Sequence, residues 1–206
     1  MKKPLFIAFE GIDGSGKSTQ VDFLELRLKK LGHQVHKTSE PTEGPIGKLI
    51  RSAFRGENLL HDKTIAGLFV ADRLEHILNK DHGMLHWLSH GHIVICDRYY
   101  FSSYAYQAQF TSLEWVIQAN SLSASLLKPD LTVFVDVSPA VSMERIKNNR
   151  TVTELYENLE SLERVKSNYF KVFELLKDQE NIFITNGSLP FDEVEENIWQ
   201  KIKGML

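Results

Sequence analysis

The chain has 206 residues, a net charge of −3 at pH 7 and hydrophobic side chains at 42% of its positions. Its length predicts one globular domain over residues 1–206, and its acidic balance excludes the basic surface typical of nucleic-acid-binding proteins. No run approaches the roughly 18 apolar residues of a membrane helix, and the apolar stretch after Met1 is too short for a signal peptide. Because Cys96 is the single cysteine, no intrachain disulfide can form, and we expect a cytoplasmic protein with neither a nucleic-acid nor a membrane partner.

The start of the chain predicts a strand, a glycine-rich turn and a helix. Residues 5–9 are apolar throughout, as in a strand covered on both faces. Residues 17–31 carry apolar side chains at helical spacing. Between them, Gly11 to Ser18 follow the pattern G-x-x-x-x-G-K-[ST], which is typical of a phosphate-binding loop.

This loop predicts that the chain binds a nucleoside triphosphate. Its glycines let the backbone wrap tightly with N–H groups pointing inward, and the following helix adds its positive N-terminal end. Lys17 can reach the outer phosphates, and the Ser18 hydroxyl can bind Mg²⁺. The predicted triphosphate-binding residues are Gly11, Ile12, Asp13, Gly14, Ser15, Gly16, Lys17, Ser18 and Thr19.

Further along the chain, strands and helices are predicted to alternate. The predicted strands are residues 34–38, 92–96, 131–137 and 181–185, and the predicted helices are residues 46–54, 63–79, 111–127, 139–148, 154–176 and about 191–202. Asp62, Thr111 and Ser138 are the predicted helix N-caps. This alternation predicts an α/β fold of three layers, with a five-stranded parallel sheet and helices on both faces. Ligands of such sheets bind beyond the carboxyl ends of the strands.

A second group of charged residues follows the predicted strand 92–96. Asp97 can hold Mg²⁺ directly or through water, and Arg98 can grip a phosphate through two N–H groups. The alternative is a surface ion pair of little energetic value. Gly11 and Asp97 each lie at the carboxyl end of a predicted strand. We therefore expect the two segments to share one site.

Several segments resemble those of the thymidylate kinases in order and spacing. They are residues 9–20, Glu40-Pro41-Thr42 with Arg51, residues 68–73, residues 97–107 and residues 128–131. The segment that begins at Asp97 is the most specific of them. The resemblance implies a P-loop kinase fold with a short lid at about residues 146–156, and a homodimer in which residues 62–79 or 113–127 form the interface.

The resemblance also implies the reaction and the roles of individual residues. ATP would donate its γ-phosphoryl group, with Mg²⁺, to thymidine monophosphate (dTMP), giving dTDP and ADP for dTTP synthesis. Phe69 would stack on thymine, Arg73 would hydrogen-bond its carbonyl edge, and Tyr106 would pack near the sugar. The predicted substrate-binding residues are Asp13, Glu40, Arg51, Phe69, Arg73, Arg98, Ser102, Tyr106 and Gln107. Without the resemblance, Phe69 reads as an ordinary core residue of its helix.

The predicted catalytic residues are Lys17, Asp97, Arg98 and Arg150, with Ser18 and Asp97 at the metal. We expect Asp97 to position the metal rather than to act as a base, because the acceptor is already a phosphate oxygen. The chain departs from the family pattern where arginines are common, at Ser15, Ser39 and Leu155. Arg150 is therefore the first choice for the lid cation, ahead of Arg145 and Lys147, and a solvated loop charge is its alternative reading.

Three other interpretations stay open at this point. The chain could be a kinase for another nucleoside monophosphate, a kinase for a deoxynucleoside, or a nucleotide-binding protein without catalysis. A GTP switch is disfavoured because the guanine-reading pattern Asn-Lys-x-Asp is absent from the sequence. The isomer of the bond before Pro41 is also open, although trans is the commoner state.

Overall fold

The computed structural model describes residues 4–149 and 158–206. Within these ranges it contains the strands β1 (Phe6–Glu10), β2 (Val35–Ser39), β3 (Ile93–Asp97), β4 (Leu131–Asp136) and β5 (Ile182–Asn186). They form one parallel sheet in the order β2-β3-β1-β4-β5. The predicted α/β class and the five-stranded parallel sheet are confirmed, and every strand lies within one residue of its predicted position.

The helices in the described ranges are α1 (Lys17–Lys30), α2 (Pro45–Phe54), α3 (Asp62–Leu78), α4 (Met84–Ser89), α5 (Tyr100–Tyr106), α6 (Leu113–Leu126), α7 (Pro139–Asn149), α8 (Leu159–Leu176) and α9 (Phe191–Ile202). Two of them, α4 and α5, were not predicted. They have 6 and 7 residues, which is too short for a periodic apolar pattern to develop. The predicted start of α8 at residue 154 lies outside the described residues.

Two predicted N-caps were wrong by one residue. The α3 helix is capped by His61, whose Nδ1 accepts a hydrogen bond from the Lys63 N–H, whereas Asp62 lies in the first turn. The cap of α6 is Ser112, not Thr111, because the Ser112 hydroxyl accepts from the Trp115 N–H. The predicted N-cap Ser138 is confirmed. It directly precedes α7, which begins at Pro139, and its hydroxyl accepts a hydrogen bond from the Val141 N–H.

Helices cover both faces of the sheet. Alternate side chains of β1 point to opposite faces: Leu5, Ile7 and Phe9 pack with α1 and α9, while Phe6 and Ala8 pack with α5 and α8. All five of these side chains are at most 1% exposed. Burial on both faces explains why the strand is a continuous apolar run, and each large side chain contributes about 1.5–3 kcal/mol of hydrophobic stabilisation.

The register of the sheet brings the two predicted motifs together. Phe9 of β1 pairs with Asp97 of β3, and the Arg98 N–H donates to the Phe9 carbonyl at 2.8 Å. Ser39 of β2 pairs with Asp97 from the other side, so Glu40 follows at the same edge. The phosphate-binding loop, Glu40 and Arg98 therefore leave the sheet side by side. None of the helices in the described ranges is long and apolar enough to cross a membrane.

Candidate functional site

The loop between β1 and α1 has the backbone shape that phosphate binding requires. Gly14 and Gly16 have φ angles of +73° and +92°, where side chains other than glycine are strained. A Cβ on Gly14 would lie 2.7 Å from the Ser142 carbonyl oxygen. No side chain caps α1, so its first N–H groups can face an anion. Ile12 and Ser15 are buried, which leaves mainly their backbone to serve a ligand.

Lys17 and Ser18 begin α1 and face the end of β3. Burial lowers the pKa of Lys17, and the nearby Arg98 charge lowers it further against the opposing effect of Asp97. The Ser18 hydroxyl donates to Asp97 Oδ2 at 2.5 Å. Asp97 Oδ1 is buried and has no hydrogen-bond partner within the described residues. This set of hydroxyl and carboxylate oxygens fits a hard cation such as Mg²⁺.

Arg98 links the phosphate-binding loop to α5. Its guanidinium donates to Asp13 Oδ1 at 2.6 Å, to the Gly11 carbonyl at 3.2 Å and to the Ser102 hydroxyl at 3.0 Å. It also lies 4.9 Å from the centre of the Tyr106 ring. Arg98 has a φ of +71°, which no other non-glycine residue matches in the part of the chain that the structure describes. The strained backbone thus places a cation between two elements of the site.

Glu10 holds this turn in place, and the sequence analysis did not single it out. Its buried carboxylate accepts hydrogen bonds from the Tyr99 N–H, the Ser102 N–H and hydroxyl, and the Tyr169 hydroxyl, at 2.6 to 3.1 Å. Burial raises the pKa of Glu10, against the opposing effect of these donors and of Arg98. The sequence could have indicated this role, because an acidic side chain at the end of a buried apolar strand needs several hydrogen-bond partners.

Asp13 is fixed between Arg98 and Tyr106. The Tyr106 hydroxyl donates to Asp13 Oδ2 at 2.8 Å and accepts from the Asp13 N–H at 3.2 Å. Burial alone would raise the pKa of Asp13, but the charges of Arg98 and Lys17 outweigh it and lower the pKa to about 2. At neutral pH this side chain is therefore an anion, and it is too weak a base to take a proton from a substrate.

This shift predicts how Asp13 contributes to stability as the pH changes. A carboxyl whose pKa falls from 3.8 to about 2 on folding stabilises the native state by about 2 kcal/mol above pH 5, and the contribution disappears as the pH falls to about 2. Urea unfolding of the wild type and of Asp13→Asn should show it. The difference in free energy of unfolding should shrink by about that amount from pH 5 to pH 2. A difference that does not depend on pH would contradict the assignment.

A cavity of about 340 Å³ opens beside these residues. It is lined by Asp13, Lys17, Ser18, Ser39, Glu40, Pro41, Arg51, Phe54, Arg55, Phe69, Asp97, Arg98, Ser102, Ser103, Tyr106 and Gln107. The structure thus brings together at this cavity every predicted substrate-binding residue except Arg73. Its size is in the range of small-molecule sites. Ser39, Pro41, Phe54, Arg55 and Ser103 line it without having been predicted to bind substrate.

Phe69 of α3 lies at the cavity wall. Its ring is 6.0 Å from that of Phe54, at an angle of 38°, and both side chains are half-buried. Two rings that face a cavity favour the prediction of a stacked base over the reading of Phe69 as core. Phe54 escaped prediction because a lone aromatic residue at a helix end carries no pattern of its own.

Arg73 lies behind the cavity and not on its lining. It is 1% exposed, and its Nε and one terminal nitrogen contact Glu40 Oε2 at 2.8 and 2.7 Å. The other terminal nitrogen donates to Ser103 and Asn120. Of the five N–H groups of a guanidinium, one is left without a partner among the described residues.

Arg51 supports the turn that follows β2. Its two terminal nitrogens donate to the carbonyl oxygens of Pro41 and Thr42, and it pairs with Glu43. The peptide bond between Glu40 and Pro41 is cis. Arg51 therefore shapes the cavity wall in addition to lining it.

The predicted lid is only partly described. Arg150 and Leu155 lie outside the described residues. Arg145 donates to the Ser15 and Gly187 carbonyls, both at 3.0 Å, so its terminal nitrogens are already bonded to backbone. Lys147 is exposed, and α7 ends at Asn149, one residue beyond the predicted end of this helix. The choice of Arg150 as the lid cation stays a prediction.

A family model described as thymidylate kinase matches residues 9–198. A probable thymidylate kinase from Pyrococcus horikoshii is 38% identical over 96% of this chain and 95% of its own length. One from Thermococcus kodakarensis is 37% identical over 98% of both chains, and a thymidylate kinase from Leptospira borgpetersenii is 34% identical over 95% of this chain and 92% of its own.

Proposed function

Because this chain belongs to the thymidylate kinase family, we propose that it transfers the γ-phosphoryl group of ATP to dTMP, giving dTDP and ADP. One observation carries the proposal most directly. Lys17 and Ser18 of the phosphate-binding loop line the same cavity as Arg98, Phe69 and Gln107, so this cavity can hold an acceptor nucleotide next to the donor phosphates. Residues 1–206 would act as a single catalytic domain in the synthesis of dTTP.

The chemistry asks for positioning and charge more than for covalent steps. In phosphoryl transfer the attacking and leaving oxygens lie roughly in line, and cations stabilise the equatorial oxygens of the transferred group. Lys17 would contact the donor phosphates, and Arg51 and Arg98 would hold the acceptor phosphate. Ser18 and Asp97 would hold Mg²⁺, which supplies Lewis-acid stabilisation of the phosphate oxygens when bound.

Removing the metal with EDTA should abolish turnover, and restoring Mg²⁺ should recover it.

The carboxylates of the site favour a phosphate as the acceptor over a nucleoside hydroxyl. A 5′-hydroxyl would need a base, because it is protonated at neutral pH. Asp13 has a pKa of about 2, and the two oxygens of Glu40 already contact Arg73 and His76. The remaining carboxylate of the cavity, Asp97, is assigned to Mg²⁺ in this proposal. A monophosphate oxygen is already negative and needs no base. This argues against the alternative of a deoxynucleoside kinase.

The polar groups behind the cavity fit thymine better than cytosine. A guanidinium can only donate, so the remaining N–H of Arg73 suits the O4 carbonyl of thymine and not the amino group of cytosine. Gln107 Oε1 is buried without a partner in the described part of the chain, and it can accept from thymine N3–H. The methyl group of thymine is worth about 1–3 kcal/mol, so we expect dUMP to be a poorer but real substrate.

Of Tyr104 and Tyr106, we expect Tyr106 to exclude a ribose. Tyr106 lines the cavity, whereas Tyr104 is 3% exposed and packs against Tyr100 and Phe101 in the core. Tyr106→Leu should lower the preference for deoxyribose over ribose about tenfold, because it opens the 2′ position. Rates with dTMP and the ribonucleotide measure this. An unchanged ratio in Tyr106→Leu would contradict it, and Tyr104→Leu should mainly lower thermal stability.

A homodimer fits the exposed apolar side chains of two adjacent helices. On α6, Trp115 and Leu122 are 44% and 54% exposed, and Leu78 of α3 is 48% exposed. Helices α3 and α6 pack against each other, and we propose that a second copy covers these exposed side chains. Light scattering should give a mass near twice the 23.6 kDa of the chain. A monomer across the micromolar range would contradict the dimer.

A panel of nucleotides tests the proposed function. The protein is incubated with ATP, Mg²⁺ and each nucleoside monophosphate or deoxynucleoside in turn, and the diphosphate or monophosphate product is quantified. We expect dTMP to react fastest and dUMP more slowly. Faster turnover of another monophosphate would support the first alternative, and tight binding without any product would support a non-catalytic nucleotide-binding protein. The cytoplasm is the proposed compartment, since the substrates are free nucleotides.

A further inference from the structure

His76 lies in a buried chain of hydrogen bonds beside the cavity, and the mechanism above gives it no role. It follows Arg73 by three residues on α3, so the two side chains share one face of the helix. His76 is 8% exposed, and Glu40 is 4% exposed. The His76 ring contacts Glu40 Oε1 through Nδ1 at 3.0 Å and the Thr38 hydroxyl through Nε2 at 2.7 Å.

The partners fix the direction of these hydrogen bonds. A carboxylate only accepts, so Nδ1–H of His76 donates to Glu40. In the tautomer that carries its proton on Nδ1, Nε2 accepts from the Thr38 hydroxyl. Glu40 receives His76 on Oε1 and Arg73 on Oε2. Both carboxylate oxygens are therefore used, and little water reaches these groups to replace a lost partner.

The same residues do not suit a metal. Side-chain ligand atoms of Glu40, His76 and Cys96 lie within 4.8 Å of one another. A divalent cation there would share Glu40 with the buried guanidinium of Arg73, 2.7 Å from Oε2. That repulsion in a poorly solvated place favours the hydrogen-bonded arrangement.

We propose that His76 is a positioning residue for recognition of the pyrimidine, acting through Glu40 on Arg73. This inference rests on the proposed function. Held on one oxygen by His76, the Glu40 carboxylate cannot rotate, and its other oxygen fixes the plane of the Arg73 guanidinium. That plane sets the direction of the remaining Arg73 N–H, which the proposed function assigns to the base. Without His76, Arg73 keeps its charge and its bonds to Ser103 and Asn120, but the Glu40 carboxylate no longer holds the other side of the guanidinium in one direction.

Two substitutions of His76 separate orientation from packing. His76→Leu fills the space and removes both hydrogen bonds, and it should raise the Kd and KM for dTMP about tenfold, as expected for the loss of hydrogen bonds to a charged group. The kcat and the KM for ATP should stay within about twofold of the wild type, because the donor half is untouched. His76→Asn places an amide N–H near the position of Nδ1, and it should recover dTMP affinity to within about threefold.

A second position tests the same chain from its far end. Thr38→Val keeps the shape of the half-buried side chain and removes the hydroxyl that holds the His76 ring. It should raise the KM for dTMP about threefold and lower the preference for dTMP over dCMP. Tyr100→Phe is the matched control, because it removes a buried hydroxyl that bonds Glu180 on the far side of α5. This control should lower thermal stability without changing dTMP affinity.

The outcomes distinguish this inference from the proposed function. Wild-type protein that binds and phosphorylates dTMP, with His76→Leu and Thr38→Val binding it equally well, overturns the role of His76 alone. An equal rise in the KM values for ATP and dTMP also overturns it, since a structural defect would act on both. Wild-type protein that neither binds nor phosphorylates dTMP overturns both proposals. A selective rise for dTMP that His76→Asn reverses supports the role.

Discussion

Replacing Lys17 by methionine should lower kcat by about 10²–10³, which is the usual effect of removing one preorganised charge from a transition state. Lys17 is buried at the start of α1, where its ammonium group can reach the phosphates that the loop holds. Methionine keeps the length and the apolar stem of the side chain. The loss therefore measures the charge and not the packing.

The matched control is Lys30→Met at the exposed end of the same helix. It removes one charge from the protein without touching the site, and its kcat should equal that of the wild type. Steady-state kinetics with both substrates varied gives the comparison. A Lys17→Met protein that retains more than a tenth of the wild-type kcat would show that the loop lysine does not act on the transferred group.

Replacing Arg98 by glycine should lower kcat/KM for dTMP by about 10²–10³, because the guanidinium would contact both the acceptor and the developing charge. Glycine suits the φ of +71° at this position and relieves about 1–2 kcal/mol of backbone strain. The variant is therefore expected to fold, although Asp13 loses its charged partner. Arg98→Lys keeps the positive charge but cannot make a bidentate contact with phosphate. Its kcat/KM for dTMP should lie between those of Arg98→Gly and the wild type.

Arg27→Ala is the control for lost arginine charge. Arg27 pairs with Glu195 and Glu196 between α1 and α9, away from the cavity. Its removal should change stability slightly and the kinetic constants not at all. Full activity in Arg98→Gly would contradict the placement of the acceptor phosphate beside Arg98.

Much of the fold could be predicted because its signals are local. Continuous apolar runs marked β1, β3 and β4, since strands buried on both faces have no polar alternation. The glycine pattern of the phosphate-binding loop marked the first turn, and Asp97 marked the matching strand end. The register pairs Phe9 with Asp97, which agrees with the expectation that the two segments share one site, although the sheet order itself was not predicted.

The candidate site was harder to predict because several of its residues act through long-range contacts. Glu10 matters through partners 89 to 159 residues away in the sequence, and no local pattern reports such pairs. The contact of Arg73 with the base stays a prediction, and its buried bonds to Glu40, Ser103 and Asn120, which lie 30 to 47 residues away in the sequence, were not predicted. The apolar side chains of Phe54 and of α5 follow no periodic pattern in the sequence. Their positions beside the site are therefore visible only in the tertiary structure.

One labelling experiment tests whether the γ-phosphoryl group moves from ATP to dTMP. The protein is incubated with Mg²⁺, dTMP and ATP labelled in the γ-phosphoryl group, and the products are separated. We expect the label to move into dTDP, with one ADP formed for each dTDP. Label that appears only in inorganic phosphate, or that stays in ATP while dTMP is unchanged, would contradict it.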